Sequence, residues 1–174
     1  MDNQQATPFE LGFLLGIIEG EGSIGLYWNE ARKQIFPTVT IVNTELRLIE
    51  AAHHVLDKIP VGNFIKQYDR KHHGRKHWKE RFDLYVWGIK RDYKLLDVLL
   101  PLWMIPTLKR KKAEVVYEFC KSRLSHPVPE NGRYTDREFE LLEQFKVLRG
   151  QSPETTRSPD VPIGTRRQRE QQMI

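Results

Sequence analysis

Residues Thr7 to Ser23, TPFELGFLLGIIEGEGS, constrain the fold more than any other stretch of the chain. Thr7 can cap a helix, Pro8 suits the first helical position, and Glu10 completes a capping box. Phe9, Leu11, Phe13, Leu14, Leu15, Ile17 and Ile18 are then spread nearly all the way round the helix. No face of it suits water, so burial is expected. The run is too short to cross a bilayer. Gly12, Gly16 and Gly20 recur every four residues and line one side. Each costs about 1 kcal/mol of helix propensity relative to alanine. A bare glycine row on an apolar helix points to the close approach of a second backbone.

Glu19 and Glu21 stand at the end of this helix, where the macrodipole is negative and repels them. Two carboxylates in that position suggest a divalent cation. Magnesium prefers such an all-oxygen site and usually keeps some of its waters there.

Leu14-Leu15-Gly16-Ile17-Ile18-Glu19-Gly20-Glu21-Gly22 resembles the nine-residue signature of the LAGLIDADG homing endonucleases, with glutamates where aspartates are more usual. The resemblance implies that the helix packs against a second copy of itself across a two-fold axis, with Gly12, Phe13, Gly16 and Glu19 in the interface. It implies that Glu21 is catalytic and binds Mg²⁺, for which Mn²⁺ or Ca²⁺ can substitute in binding. Gly20 can add its carbonyl oxygen to the metal site.

The single cysteine, Cys120, allows no internal disulfide and points to a reducing, intracellular setting rather than secretion. Neither a signal peptide nor a membrane span is expected. The net charge of +5 is unevenly placed: residues 1–65 carry −4, residues 66–124 carry +9 and residues 125–174 balance to zero. A basic middle section is the electrostatic footprint of a nucleic-acid partner.

After Ser23, Ile24, Leu26 and Trp28 alternate with Gly25, Tyr27 and Asn29, which reads as a strand with one buried face. Gln34 to Val42 reads as a second strand, Val39 and Ile41 inward, Thr38 and Thr40 outward, and the two form a hairpin. Tyr27, Asn29, Thr38 and Thr40 are then hydrogen-bonding groups on the face away from the core, and a strand pair fits the major groove. Helical spacing follows over Thr44 to Ile59, with Asn43 or Thr44 as its cap. A third strand is expected over Phe64 to Arg70 and a fourth over Glu80 to Gly88. Phe82, Leu84 and Val86 should face the core, with Arg81, Asp83, Tyr85 and Trp87 on the other side.

Residues 66–81 hold seven Lys/Arg interleaved with Tyr68 and Trp78. Phosphates give such a stretch its affinity, and alternating side chains give it specificity. His72, His73 and His77 lack the paired spacing and the nearby cysteines of a zinc site. Helices are expected over Asp92 to Trp103 and again from Lys109, with Val115, Val116, Phe119 and Cys120 on the apolar side of the latter. Lys109-Arg110-Lys111-Lys112 opposes the dipole of that helix and calls for an anionic partner. The same segment resembles the one that supplies the family's active-site lysine, which implies a catalytic Lys109, with its neighbours on phosphates. The resemblance also implies a polar catalytic residue at the end of the second strand, which is Asn43 or, one position on, Thr44.

The expected fold class is α+β: an αββαββα homing-endonuclease unit with a four-stranded antiparallel DNA-binding sheet, plus a C-terminal helix and an extended tail. Residues 1–124 form the core, 125–150 a linker and helix opened by the capping box Thr135-Asp136-Arg137-Glu138, and 151–174 the tail. The DNA-facing set comprises Ser23, Tyr27, Asn29, Thr38, Thr40, Lys66, Tyr68, Arg70, Arg75, Lys76, Arg81, Asp83, Tyr85, Arg110 and Lys111. One signature and no second repeat imply a homodimer that cuts both strands of a long, roughly palindromic duplex. The alternative is an RNA maturase, or a DNA regulator of the same fold that does not cut.

Overall fold

The computed structural model describes residues 5–68, 80–126 and 134–150. The order is α1 (Pro8–Glu21), β1 (Gly22–Asn29), β2 (Gln34–Asn43), α2 (Leu46–Lys58), β3 (Asn63–Tyr68), β4 (Arg81–Trp87), α3 (Ile89–Leu99), α4 (Leu108–Ser125) and α5 (Asp136–Gly150), with a 3₁₀ turn at Leu100–Leu102. The four strands form one antiparallel sheet in the order β1-β2-β4-β3. The α+β class and the αββαββα order are therefore as the sequence predicts. None of the helices among the described residues is long and apolar enough to cross a membrane.

Register decides which side chains face where. Ile24 pairs with Val39, which pairs with Val86, while Ile41 pairs with Leu84, and all five are buried under the helices. The period of two then sends Tyr27, Phe36, Thr38, Thr40, Arg81, Tyr85 and Trp87 to the opposite face. Helices α2, α3, α4 and α5 close the core over Ile49, Leu56, Leu95, Leu99, Val116, Phe119, Leu142 and Phe145.

Helix α1 starts as expected: Thr7 Oγ1 accepts from the Glu10 amide at 3.3 Å, and the Glu10 carboxylate accepts from the Thr7 amide at 2.8 Å. Lys58 of α2 reaches Glu10 Oε1 at 2.5 Å, and this bond, with help from Thr7, holds the carboxyl down to about 2. Burial is less complete than the composition suggests. Leu14, Ile17 and Ile18 are buried, whereas Phe9 is 83 % exposed.

Several boundaries move for local reasons. Helix α2 begins at Leu46, because Asn43 Oδ1 accepts from the Glu45 amide at 2.8 Å and spends two more residues on a turn. Helix α3 begins three residues before Asp92. Its N-cap is Gly88, at φ 112°, a conformation that favours glycine. Asp92 is not the cap; from inside the helix its Oδ2 accepts from the Gly88 amide at 2.8 Å. Burial pushes that carboxyl up to about 8 and, together with Asp92 nearby, raises the Cys120 thiol, which makes Cys120 a packing residue.

Helix α5 is joined to the rest of the fold and is no loose appendage. Leu141, Leu142 and Phe145 belong to the common core. The Ile35 amide donates to the Tyr134 hydroxyl at 2.7 Å. Arg123 stands 4.5 Å from the centre of the Tyr134 ring and 3.5 Å from the buried Glu138 carboxylate. The capping box at Thr135 and Glu138 is present, with bonds of 2.7 and 3.3 Å. The expected linker turn at Pro127, Pro129 and Gly132, the tail from 151, and the histidines 72, 73 and 77 lie outside the described residues.

Candidate functional site

The end of α1 and the start of α4 meet, and each repairs the other's electrostatics. A helix C-terminus leaves carbonyl oxygens without intrahelical partners, and a helix N-terminus leaves amides. Lys109, in the first turn of α4, sends its ammonium to the α1 carbonyls of Ile18 at 3.0 Å and Glu19 at 2.5 Å. Thr107 caps α4 by accepting from the Arg110 amide at 3.1 Å, and its hydroxyl donates to Glu19 Oε2 at 3.1 Å. The acid that α1 repels therefore lies at the positive end of α4, and the cation that α4 repels lies at the negative end of α1. Neither feature could be understood from its own helix.

Gly22 lets the chain turn sharply here. A Cβ on it would stand 2.5 Å from the Ile18 carbonyl oxygen, so only glycine fits. Its amide donates to the Ile17 and Ile18 carbonyls, and β1 starts at once. The turn leaves Glu21 exposed at the tip, beside the exposed Gly20. The three residues of the proposed centre thus sit at one helix end, Lys109 held two residues before Glu21. Asn43 is different: it lies beyond the Gly22–Ile41 pair and its Oδ1 serves the turn into α2.

The side of α1 that carries the glycine row is open. A Cβ built on Gly12, Gly16 or Gly20 would meet nothing within 4 Å among the described residues. Phe9 is exposed at the head of that row, and Phe13 is half-buried. Glu19, expected in the same interface, is engaged by Thr107 of its own chain.

The outer sheet face brings the other candidates together. Ser23 pairs with Thr40, which pairs with Tyr85. Thr38 donates to the Val86 carbonyl at 3.2 Å. Tyr27 folds over Gly25, and Arg149 of α5 stands 5.7 Å from its ring centre. Asn29 serves the hairpin instead, accepting from the Arg32 amide at 3.0 Å. Arg110 is tied to Glu114 at 3.0 Å and to the Met104 carbonyl at 3.3 Å, while Lys111 is exposed. Lys66, Tyr68, Arg81 and Tyr85 cluster at the β3–β4 edge around Asp83, which is 2 % exposed. Arg70, Arg75 and Lys76 lie outside the described residues.

Sequence reasoning passed over Thr107, the residue that joins Glu19 to α4. Its signal was a threonine two residues before a basic run that opens a helix. It also gave Phe36 and Phe64 no place on the outer face, and it left Trp87, which it did place there, out of the DNA-facing set. Phe36 lies tilted against Trp87, ring centres 5.9 Å apart, and Phe64 stacks on Tyr85 at 5.1 Å.

No protein-family model matches the chain, and no curated protein matches it. Solved structures do. The archaeal intron-encoded homing endonuclease I-Vdi141I, complexed with DNA, superposes with a TM-score of 0.59 at 16% identity, over 87% of this chain and 89% of that one. The homing endonuclease I-CvuI, in complex with its target in the presence of Ca, gives 0.51 at 18% identity, over 80% of this chain and 82% of that one. The LAGLIDADG homing endonuclease I-GzeII, in complex with its DNA target, gives 0.52 at 15% identity; there 81% of this chain matches only 44% of the other. The chain thus has the fold of the LAGLIDADG homing endonucleases, the family that Leu14 to Gly22 resembles.

Proposed function

We propose that this protein is a site-specific double-strand DNA endonuclease that works as a homodimer with Mg²⁺. The observation that carries the reading is the end of α1, where Glu21 is exposed and Lys109 is fixed on the Ile18 and Glu19 carbonyls, beside a glycine flank that none of the described residues covers. A second copy set against that flank would bring two such ends together on a two-fold axis. The solved structures of like fold are DNA complexes, which supports duplex DNA as the substrate.

The donor set fits the metal. Glu21 and the Gly20 carbonyl offer hard oxygen ligands, and among the described residues no group of three or more His, Cys, Asp or Glu could hold an ion alone. Mg²⁺ suits such a sparse set, since it retains waters and is commonly held by one or two carboxylates together with substrate phosphates. When bound, the ion would polarise the scissile phosphate and activate water. The chain's own part is positional and electrostatic. Glu21 would hold the ion at the helix tip, and Gly20 could add its carbonyl. Lys109 would place positive charge where the phosphate accumulates negative charge. Thr107 and Glu19 fix the angle between α1 and α4 and so the place of both. The outer sheet face, with the basic residues around β3 and β4, would supply contacts along the duplex.

The target comes from incubating a plasmid library with the protein and Mg²⁺ and sequencing the cut ends. Glu21→Gln should then bind that target as the native chain does, while cutting falls by a factor of about 100 or more. Normal cutting by the variant would remove Glu21 from the chemistry. Binding without cutting by the native chain in Mg²⁺ and Mn²⁺ would favour the regulator or maturase reading instead.

A further inference from the structure

Asp83 is a carboxylate on a face expected to meet DNA, near its β3–β4 edge, yet it is 2 % exposed. An acid there is unwelcome beside phosphates, and a buried one needs compensation. Two residues compensate it. Arg81 Nη2 donates to Oδ2 at 2.8 Å and the Tyr85 hydroxyl donates to Oδ2 at 2.9 Å. Arg81 Nε lies at ion-pair distance, 2.8 Å, from Oδ1, which is buried and accepts no hydrogen bond among the described residues. Burial raises the Tyr85 phenol, so it stays a donor. The Tyr68 hydroxyl lies 3.2 Å from that of Tyr85. The Arg81 guanidinium also stands over the Tyr68 ring, 4.8 Å from its centre. Asp83 therefore grips Arg81 along one edge while Tyr68 supports its face.

That grip has a directional consequence. A guanidinium carries five N–H groups in a rigid fork. With Nη2 bonded to Oδ2 and Nε beside Oδ1, the Nε–Nη2 edge faces Asp83, which leaves the Nη1 end of the fork directed away from it, and the Arg81 side chain is 48 % exposed. Two parallel N–H groups projecting from a sheet match the O6 and N7 acceptors of guanine in the major groove, the commonest specific arginine contact. Asp83 itself cannot reach a base, because its Oδ1 is wholly enclosed.

We propose that Arg81 reads one guanine in each half of the DNA target and that Asp83 is a positioning residue for it rather than a base contact. This assignment rests on the DNA-binding reading above. Holding the guanidinium before DNA arrives removes part of the ordering cost of the contact. It also changes the role expected of Asp83 from its alternation alone, which placed it among the groups that touch DNA. Lys66 stands 4.6 Å from the centre of the same Tyr68 ring. Only one of the two cations there is neutralised by Asp83, which leaves Lys66 suited to a phosphate.

The test is selection of binding sites from a randomised duplex library by the native chain and by Arg81→Ala, Arg81→Lys and Asp83→Asn, with thermal melting of each protein. The native chain should enrich guanine at one position in each half-site. Arg81→Ala and Arg81→Lys should flatten that position by about ten-fold or more, since lysine lacks the fork. Asp83→Asn should flatten the same position while the salt dependence of binding stays native, because no phosphate contact is lost. If Asp83→Asn melts out, the two Arg81 variants still decide whether a guanine is read. A cytosine position that responds to Asp83→Asn and not to Arg81→Ala would overturn the assignment by making Asp83 a base contact. Uniform loss over all sequences with a shallower salt slope for Arg81→Ala would make Arg81 a phosphate contact and overturn it too. Failure of the native chain to enrich any DNA would sink the DNA reading along with this one. Enrichment with no guanine responding to Arg81 would sink this one alone.

Discussion

The tip of α1 and its glycine flank belong to one helix, yet the chain completes the first and leaves the second open. At the tip, Lys109 covers the Ile18 and Glu19 carbonyls, Thr107 binds the Glu19 carboxylate, and Gly22 allows β1 to leave without a clash. Along the flank, a methyl group added to Gly12, Gly16 or Gly20 would meet none of the described residues within 4 Å. A helix with apolar residues all round has no reason to face water, and three interior glycines weaken it. On the homodimer proposed above, the contrast separates parts the chain builds for itself from parts that a second copy would complete. Glu21 lies at the boundary: exposed, and next to both.

The largest effect should come from filling the flank. Gly16→Leu places a side chain where this chain has room, so the fold should survive, and α1 should gain about 0.5–1 kcal/mol in helix propensity. Pairing with a second copy should be blocked. Light scattering should then report the mass of one chain in place of two, and cleavage should fall by more than about 100-fold. A variant that still dimerises and cuts would show that the two copies meet elsewhere.

The next effect probes the tip. Lys109→Met keeps the apolar stem and removes the ammonium from the Ile18 and Glu19 carbonyls. The loss of a cation at a helix C-terminus costs about 1 kcal/mol of stability, measurable by urea unfolding. Cleavage should fall by about 100-fold, more than that stability loss explains. A fall in stability with native cleavage would confine Lys109 to the architecture of the tip.

What the sequence made legible follows from what kind of interaction is involved. The period of two in Ile24–Leu26 and Val39–Ile41 and the capping boxes at Thr7 and Thr135 are local, so strands, helices and the two sheet faces could be read directly. The resemblance of residues 14–22 to a family signature pointed to the fold that the solved structures share. Contacts between distant residues were not legible. Nothing in the sequence joins Thr107 to Glu19, and so two features that look unfavourable on separate helices stood as separate puzzles. Alternation likewise placed Asp83 on the outer face correctly but could not show that Arg81 and Tyr85 enclose it. The attachment of α5 through Tyr134 and Arg123 depends on the same kind of long-range pairing.

The smallest effect should come from Glu19, and it gives the finest test of the contrast between tip and flank. Glu19 and Glu21 are two residues apart, and on electrostatic grounds the sequence treats them alike. In the structure Glu19 Oε2 accepts from Thr107 at the N-terminal end of α4, while Glu21 is exposed. Glu19→Gln retains an oxygen able to accept from Thr107 and loses only the negative charge near the amides of α4. That charge is worth about 0.3–1 kcal/mol at a helix N-terminus, so the urea midpoint should shift slightly downward. Cutting should stay within about three-fold of native, because the carboxylate is committed to the joint between two helices. A Glu19→Gln variant as inactive as Glu21→Gln, at native stability and native DNA affinity, would place both acids in the chemistry and end the distinction between them.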